Sequence, residues 1–353
     1  GTLGLYRRIH EEHGNEVRYV TFFRSPKAFE EDICLDLPFN FTRPCLKKAR
    51  HKVYQLYRGK EGYHKDREGY PPVWSPEGRL DGAFLNWKEK HWDRIIQKAI
   101  DRYLLYDIDV VHFESGMDFY KDARFAKALK EHGVKIICHY HGEDLRSRGV
   151  LKPLDDLSDL NLTNELDLLE KHPDIHYIFL PFDLTSFQNK YKSKTKSKGL
   201  PLVTHAPTNR YYKGSDDIIP VCRQLASEGK IRFELIENKP HAIAMQMKRQ
   251  SDIFIDQIND RGGWGYGMNS VESLSLGVCT ATEMNKAYCD FLPDHPFVNI
   301  NRSNLYDTLL VLAANENMRK KHANMGPAWV KKYHDISAVG KRLYEYYNEI
   351  GLI

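Results

Sequence analysis

The chain has 353 residues, 41% of them apolar and 28% charged, with a formal net charge of +4 at pH 7. That length allows two domains with separate cores, and the composition is that of a globular protein, with too little positive charge to argue for nucleic acid. No apolar run predicts a membrane helix, no basic-then-apolar leader predicts secretion, and the scattered cysteines (34, 45, 138, 222, 279, 289) lack a C-x-x-C pair, so a reduced, cytoplasmic setting is expected.

An amphipathic helix is predicted over Leu5–His13, closed by Gly14-Asn15, with an alternating strand over Glu16–Phe22. Thr42–Arg58 reads as a helix with a basic face and Pro44 in its first turn. Such a face is solvated or meets an anionic acceptor, including a lipid phosphate at a membrane surface. Residues 59–83 are rich in Gly, Pro and Tyr and read as a long loop, followed by a helix over Leu85–Tyr106.

From Ile108 the alternation of strands and helices is regular. Strands are predicted at Ile108–Phe113, Val134–His139 and Ile175–Pro181, with helices at Phe119–His132 and Leu160–Lys171. Lys190–Lys198, five lysines in nine residues, reads as a solvated linker, with phosphate or membrane contact as the alternative. The alternation then restarts. Strands at Leu200–Thr204, Ile231–Ile236, Ile253–Ile255, Val278–Thr282 and Phe297–Ile300 enclose helices at Asp216–Glu228, capped by Ser215, and at His241–Arg249. Helices at Leu305–Tyr333 and Ile336–Ile350 close the chain. The pattern predicts an α/β protein of two facing Rossmann-like domains with an interdomain cleft. Their bounds are 1–187 with the C-terminal helix 336–353, a linker at 188–200, and 201–335.

The most informative stretch comes directly after Ile253–Ile255. Gly262, Gly263, Gly265 and Gly267 fall within six residues, and a helix carrying Val271, Leu274 and Leu276 begins at once. Strand, glycine loop and helix N-terminus together aim unpaired backbone N–H groups and a positive dipole end at an anion. Two other loops leave strands at the carboxyl end, where ligands of open α/β sheets bind: Tyr140–Arg146 and His205–Gly214.

The stretch V-E-S-L-S-L-G-V around Glu272 resembles the nucleotide-sugar loop of GT-B glycosyltransferases of the retaining family-four type, with their E-A-M-A-x-G-x-P-V pattern. Glu272 matches the second glutamate of that family, and Trp264, eight residues earlier, stands where the first would be. The resemblance implies a glycosyltransferase using a nucleotide-diphosphate sugar as substrate, with no cofactor and no metal. Acceptor identity stays open between a glycan, a lipid-linked molecule and a small molecule, with peripheral contact at an anionic membrane as an extension and no nucleic acid as partner.

By the same resemblance Arg210 and Lys213 would neutralise the leaving diphosphate, and His141 would touch sugar and phosphate. Glu272 would accept the ribose hydroxyls; Gly263, Trp264, Gly265, Gly267, Asn269, Ser270 and Asp144 would complete the donor site. Plainer readings stand beside these: an exposed loop for Arg210 and Lys213, a helix-terminal charge for Glu272, a local ion pair for Asp144 and Arg146. A sugar-nucleotide epimerase and a non-catalytic sugar-nucleotide or partner-binding protein are the alternatives, the latter prompted by Trp264.

Overall fold

The computed structural model describes residues 2–24, 31–40, 44–62, 65–191 and 199–353. Thr42 and Arg43 of the predicted basic helix, and residues 192–198 of the lysine-rich stretch, lie outside the described residues. The chain divides into two compact units: Leu3–Ile178 with Arg342–Ile353, and Phe179–Lys341. The division therefore falls between Ile178 and Phe179, ahead of the lysine-rich stretch.

The first unit opens with helix α1 (Thr2–Glu12) and two short strands paired in parallel, β1 (Val20–Thr21) and β2 (Ile33–Cys34). Helices α2 (Pro44–Arg58) and α3 (Arg79–Tyr103) come next. The main sheet is built from β3 (Val110–Glu114), α4 (Arg124–Glu131), β4 (Lys135–Tyr140), α5 (Lys152–Asp155), β5 (Leu160–Thr163) and β6 (Ile175–Tyr177), with strands in the parallel order β3-β4-β5-β6. Its core joins Trp92 and Ile96 of α3 to Phe125 and Leu129 of α4 and Ile136 of β4.

Two expectations fail here. Leu160–Lys171 is not a helix: L-N-L-T is β5, an interior strand paired with β4 along one edge and β6 along the other and buried at all four residues, and only Leu166–Glu170 turns, as a 3-10 helix. Helix α4 starts later than Phe119 because buried Asp118 captures the backbone N–H groups of Tyr120 (2.9 Å) and Ala126 (2.8 Å), which holds a turn before the helix.

The second unit contains α6 (Leu184–Lys190), β7 (Leu202–His205), α7 (Ser215–Ser227), β8 (Arg232–Leu235), α8 (His241–Gln250), β9 (Ile253–Ile255), α9 (Met268–Ser275) and β10 (Cys279–Thr282). It continues with α10 (Lys286–Phe291), β11 (Val298–Asn299), α11 (Leu305–Ala314) and α12 (Glu316–Tyr333). Helix α13 (Ile336–Glu349) groups with this unit up to Lys341 and with the first unit from Arg342. All five strands are parallel in the order β11-β10-β9-β7-β8, so the chain reverses its direction of growth between β7 and β9. In such sheets the crevice at that reversal, beyond the carboxyl ends of the strands, is where ligands bind.

Ser215 does not cap α7: Gly214 holds the N-cap position, and the Ser215 hydroxyl donates to buried His205 (2.8 Å). The single helix expected over Leu305–Tyr333 is two, because Asn315 leaves helical geometry and its side chain accepts from Met318 N (2.9 Å), capping α12. Among the described residues no helix is long and apolar enough to cross a membrane.

Candidate functional site

The reversal point of the second unit is lined by the segments that leave β7 and β9 at their carboxyl ends. Ile253, Phe254 and Ile255 are fully buried, as a central parallel strand requires. Asp256 and Gln257 therefore emerge at the end of β9 with no freedom to shift register. Asp256 is almost wholly buried, and its Oδ1 accepts from the Lys213 ammonium at 2.5 Å. Its Oδ2 accepts from Gly267 N (3.1 Å) and the Ser270 hydroxyl (2.7 Å), so a carboxylate of the chain itself sits at the opening of α9. Burial alone would raise its pKa, but the charge and hydrogen bond of Lys213, with Ser270 and Gly267, hold it below the usual carboxylate value.

Lys213 also donates to Gln257 Oε1 (2.7 Å). An ammonium carries three hydrogens, and these two bonds use two of them. Gly267 lies beside this ammonium: a Cβ at that position would be in ordinary contact with Lys213 Nζ, at 3.4 Å. Elsewhere in the loop Gly263 and Gly265 have φ of 91° and 81°, in the left-handed region, and a Cβ on Gly265 would strike the Tyr288 ring at 2.6 Å. Trp264 between them is half-buried. The glycine loop thus reads as a tight turn over Tyr288 that delivers Gly267 to Lys213.

Glu272 lies one turn into α9, against α8. Lys248, only 1% exposed, donates to Glu272 Oε2 (2.6 Å) and Asn269 Oδ1 (2.5 Å), and its ammonium lies 4.9 Å from the centre of the Phe254 ring. His241 Nε2 donates to Glu272 Oε1 (3.0 Å). Burial opposes the charge of Glu272, but His241 and Lys248 together keep its pKa below the ordinary value. Asn269 in turn donates to Ala206 O (3.1 Å), tying α9 to the end of β7. Arg210 is not drawn into this group: its guanidinium faces Glu237, with bonds of 2.7 and 2.6 Å.

His141 and Asp144 belong to the first unit. His141 Nε2 donates to Glu114 Oε1 (2.7 Å), at the carboxyl end of β3, and its ring stacks on His139 with centroids 4.9 Å apart. Burial works against the charged form, yet the hydrogen bond and charge of Glu114, with Asp144 and Glu165 nearby, push the His141 pKa up to about 9. His141 is therefore an imidazolium at neutral pH, and its Nδ1–H faces no acceptor among the described residues. His139 instead is buried and neutral, its Nε2 donating to Asn164 (2.8 Å). Asp144 and Arg146 do not pair with each other. Asp144 accepts from His141 N (3.2 Å) and lies 4.0 Å from Arg148, while Arg146 bridges Glu165 (2.6 Å) and Asp167 (2.5 Å).

The residues that reading the sequence passed over are the partners Lys248, His241, Glu237 and Glu114. One signal was available. His241 and Lys248 stand seven apart, hence on one face of α8, together with buried Met245. A lysine on a helix reads as solvated by default, and only the packing of α8 on α9 says otherwise.

No protein-family model and no curated protein sequence matches the chain. Solved structures do. An α,α-trehalose-phosphate synthase (UDP-forming) from Burkholderia vietnamiensis has a TM-score of 0.56 at 12% identity, over 86% of this chain and 86% of that one. Sucrose-phosphate synthase from Thermosynechococcus elongatus gives 0.52 at 10% identity, over 78% and 81% respectively. An α-glucosyltransferase in complex with UDP and a 13-mer DNA containing a central A:G mismatch gives 0.53 at 10% identity, over 71% and 82%. At these identities the likeness is one of fold: the chain has the fold of the GT-B glycosyltransferases, with two Rossmann-like units.

Proposed function

We propose that this chain, built on the GT-B fold, is a glycosyltransferase that moves a sugar from a nucleotide-diphosphate sugar to an acceptor, with retention and without a metal. The observation that carries the reading is the Lys213 ammonium lodged beside Gly267 at the opening of α9, where strand order reverses. Negative charge builds on the departing phosphate, and fixed donors that meet it there lower the barrier without reorganising. Lys213 would turn its third hydrogen to that phosphate, and the N–H groups of Met268 and Asn269, in the first helical turn, have no acceptor within the helix. Glu272 would take the ribose, and Arg210 would reach the phosphates by exchanging Glu237 for them. His141, charged on Glu114, would donate to a sugar hydroxyl or a phosphate oxygen, and the departing phosphate would assist attack on the face it leaves.

The acceptor is assigned to the first unit. By sequence, helix α2 carries Lys47, Lys48, Arg50 and Lys52 and no carboxylate, while Arg58 at its end is taken up by an ion pair with Glu77. Leu56 on α2 and Leu80 on α3 are each 81% exposed, and Trp87 on α3, packed against Phe39 and His91, is still 43% exposed. Basic charge and exposed apolar groups carried by the same two helices suit an anionic, amphiphilic acceptor or the anionic membrane that holds it. Sedimentation with anionic against zwitterionic vesicles tests that part: equal recovery from both would remove the membrane.

Turnover tests the donor reading. Thermal shift with a nucleotide panel first identifies the base, since a ligand of the folded state raises Tm. Transfer and hydrolysis are then compared in wild type, Lys213→Gln and Glu272→Gln. Glutamine is the milder substitution, because its amide oxygen still accepts from the buried Lys248 ammonium, which alanine at 272 would leave without either charge or hydrogen-bond partner. Both variants are expected to lose about 100-fold or more in turnover and some stability, since each leaves a buried charge without its counter-ion, and melting curves separate the two effects. Near-wild-type rates in both would reject the assignment. Trp264, in place of a carboxylate, favours a second reading as a sugar-nucleotide binder, for which tight nucleotide binding without turnover on any acceptor is the expected result.

A further inference from the structure

We propose that Lys248 is a positioning residue that leaves a single oxygen of Glu272 open to a nucleotide, and that His241 occupies that oxygen until the ribose displaces it. The inference rests on Glu272 as the ribose acceptor and concerns how α8 controls it.

A lysine with 1% exposure costs desolvation unless every hydrogen finds a partner. Lys248 meets that condition through Glu272 Oε2, Asn269 Oδ1 and the face of Phe254. Phe254 is fully buried, Glu272 is nearly so, and the ammonium itself is 1% exposed, so the Oε2 end of the carboxylate is committed to Lys248 although Asn269 is only half-buried. A carboxylate held at one oxygen by a buried cation keeps both its charge and its direction, and the remaining oxygen is aimed wherever the first is not.

The other oxygen has a different kind of neighbour. His241 is the first residue of α8, and its side chain is 67% exposed while that of Glu272 is 12% exposed. An exposed imidazole therefore covers a nearly buried acceptor, held by one hydrogen bond of 3.0 Å. Such a side chain leaves at low cost, since it passes from one solvated position to another. Its replacement must bring hydroxyl donors to one oxygen with two lone pairs, and the vicinal diol of a ribose does so. The two α8 residues thus divide the work: Lys248 holds Glu272, and His241 keeps its free oxygen satisfied while the site is empty.

Calorimetric titration of the full chain with UDP and with 2′,3′-dideoxy-UDP tests this. His241→Ala, an exposed change that leaves the fold intact, is expected to bind UDP several-fold more tightly, with no gain for the dideoxy compound, which has no hydroxyl to place. Lys248→Met is expected to weaken UDP by about tenfold or more, as loss of a charge-assisted contact implies, and to bring the two ligands close to equal affinity. A lysine that is merely structural would lower Tm and leave the UDP-to-dideoxy ratio at its wild-type value, and that result overturns the proposal. So does weaker UDP binding in His241→Ala, which stays informative if Lys248→Met does not fold. Wild-type chain that binds neither UDP nor any other nucleoside diphosphate would instead reject the nucleotide reading itself, and this proposal with it.

Discussion

Burial holds the imidazoles of His10, His139, His205 and His334 neutral, with pKa values pushed down to about 4, and His112 is pushed well down too. His205 and His334 show how neutrality is used. Each donates from Nδ1 to a backbone carbonyl and accepts at Nε2 from a hydroxyl, Ser215 for the first and Tyr266 for the second. Linkage sets the sign. Unfolded imidazoles take a proton near pH 6.5 and these do not until about 4, so their contribution is full above 6.5 and is lost as pH falls toward 4. His141 runs the other way: its support is complete below about 6.5 and disappears as pH rises through about 9. Melting curves from pH 4.5 to 10 are expected to show Tm falling on both sides of neutrality, and Glu114→Gln is expected to remove the alkaline limb contributed by His141. An unchanged alkaline limb in that variant would show that the His141–Glu114 pair does not stabilise the fold.

Among the elements, those with strong periodicity and punctuation agree with expectation: β9, α8 and the glycine loop leading into α9 are where the sequence puts them. Two of the departures share a cause, side chains that bond to backbone, whereas Leu160–Thr163 departs because it is paired into the sheet as β5. Asn315 interrupts a stretch whose periodicity runs straight through it, and Asp118 delays α4. Asn315→Ala is expected to cost about 1 kcal/mol of stability in denaturant melts, the usual loss for such a cap. Gly265→Ala is expected to be worse, because φ is 81° and the added carbon meets Tyr288 at 2.6 Å. Nucleotide affinity should fall with it, since the loop delivers Gly267 to Lys213. Full UDP affinity in a folded Gly265→Ala protein would mean that the loop geometry is not what aims the lysine.

For the whole molecule, each unit has its own apolar core, that of the second centred on Val203, Ile218, Ile253, Ile255 and Leu309. Candidate residues are spread over both: His141 and Asp144 in the first, Arg210, Lys213, the glycine loop and Glu272 in the second. If the second unit holds the nucleotide, hydrogen exchange with saturating UDP is expected to slow most in residues 206–214, 241–248 and 256–272. Slowing confined to residues 3–178 would place the nucleotide elsewhere.

The sequence by itself determined the class of fold, through strands and helices alternating at regular spacing, and it located the glycine loop ahead of α9, because glycines before a helix are a local signal. It also determined which residue types stand at the carboxyl ends of β4, β7 and β9. Only the tertiary structure decided which charge meets which: Lys213 with Asp256, Glu272 with Lys248, Arg210 with Glu237, His141 with Glu114. The reason is physical. Periodicity within one element is set by backbone geometry a few residues long, whereas these partners lie 24 to 43 residues apart and are brought together by strand order and helix packing.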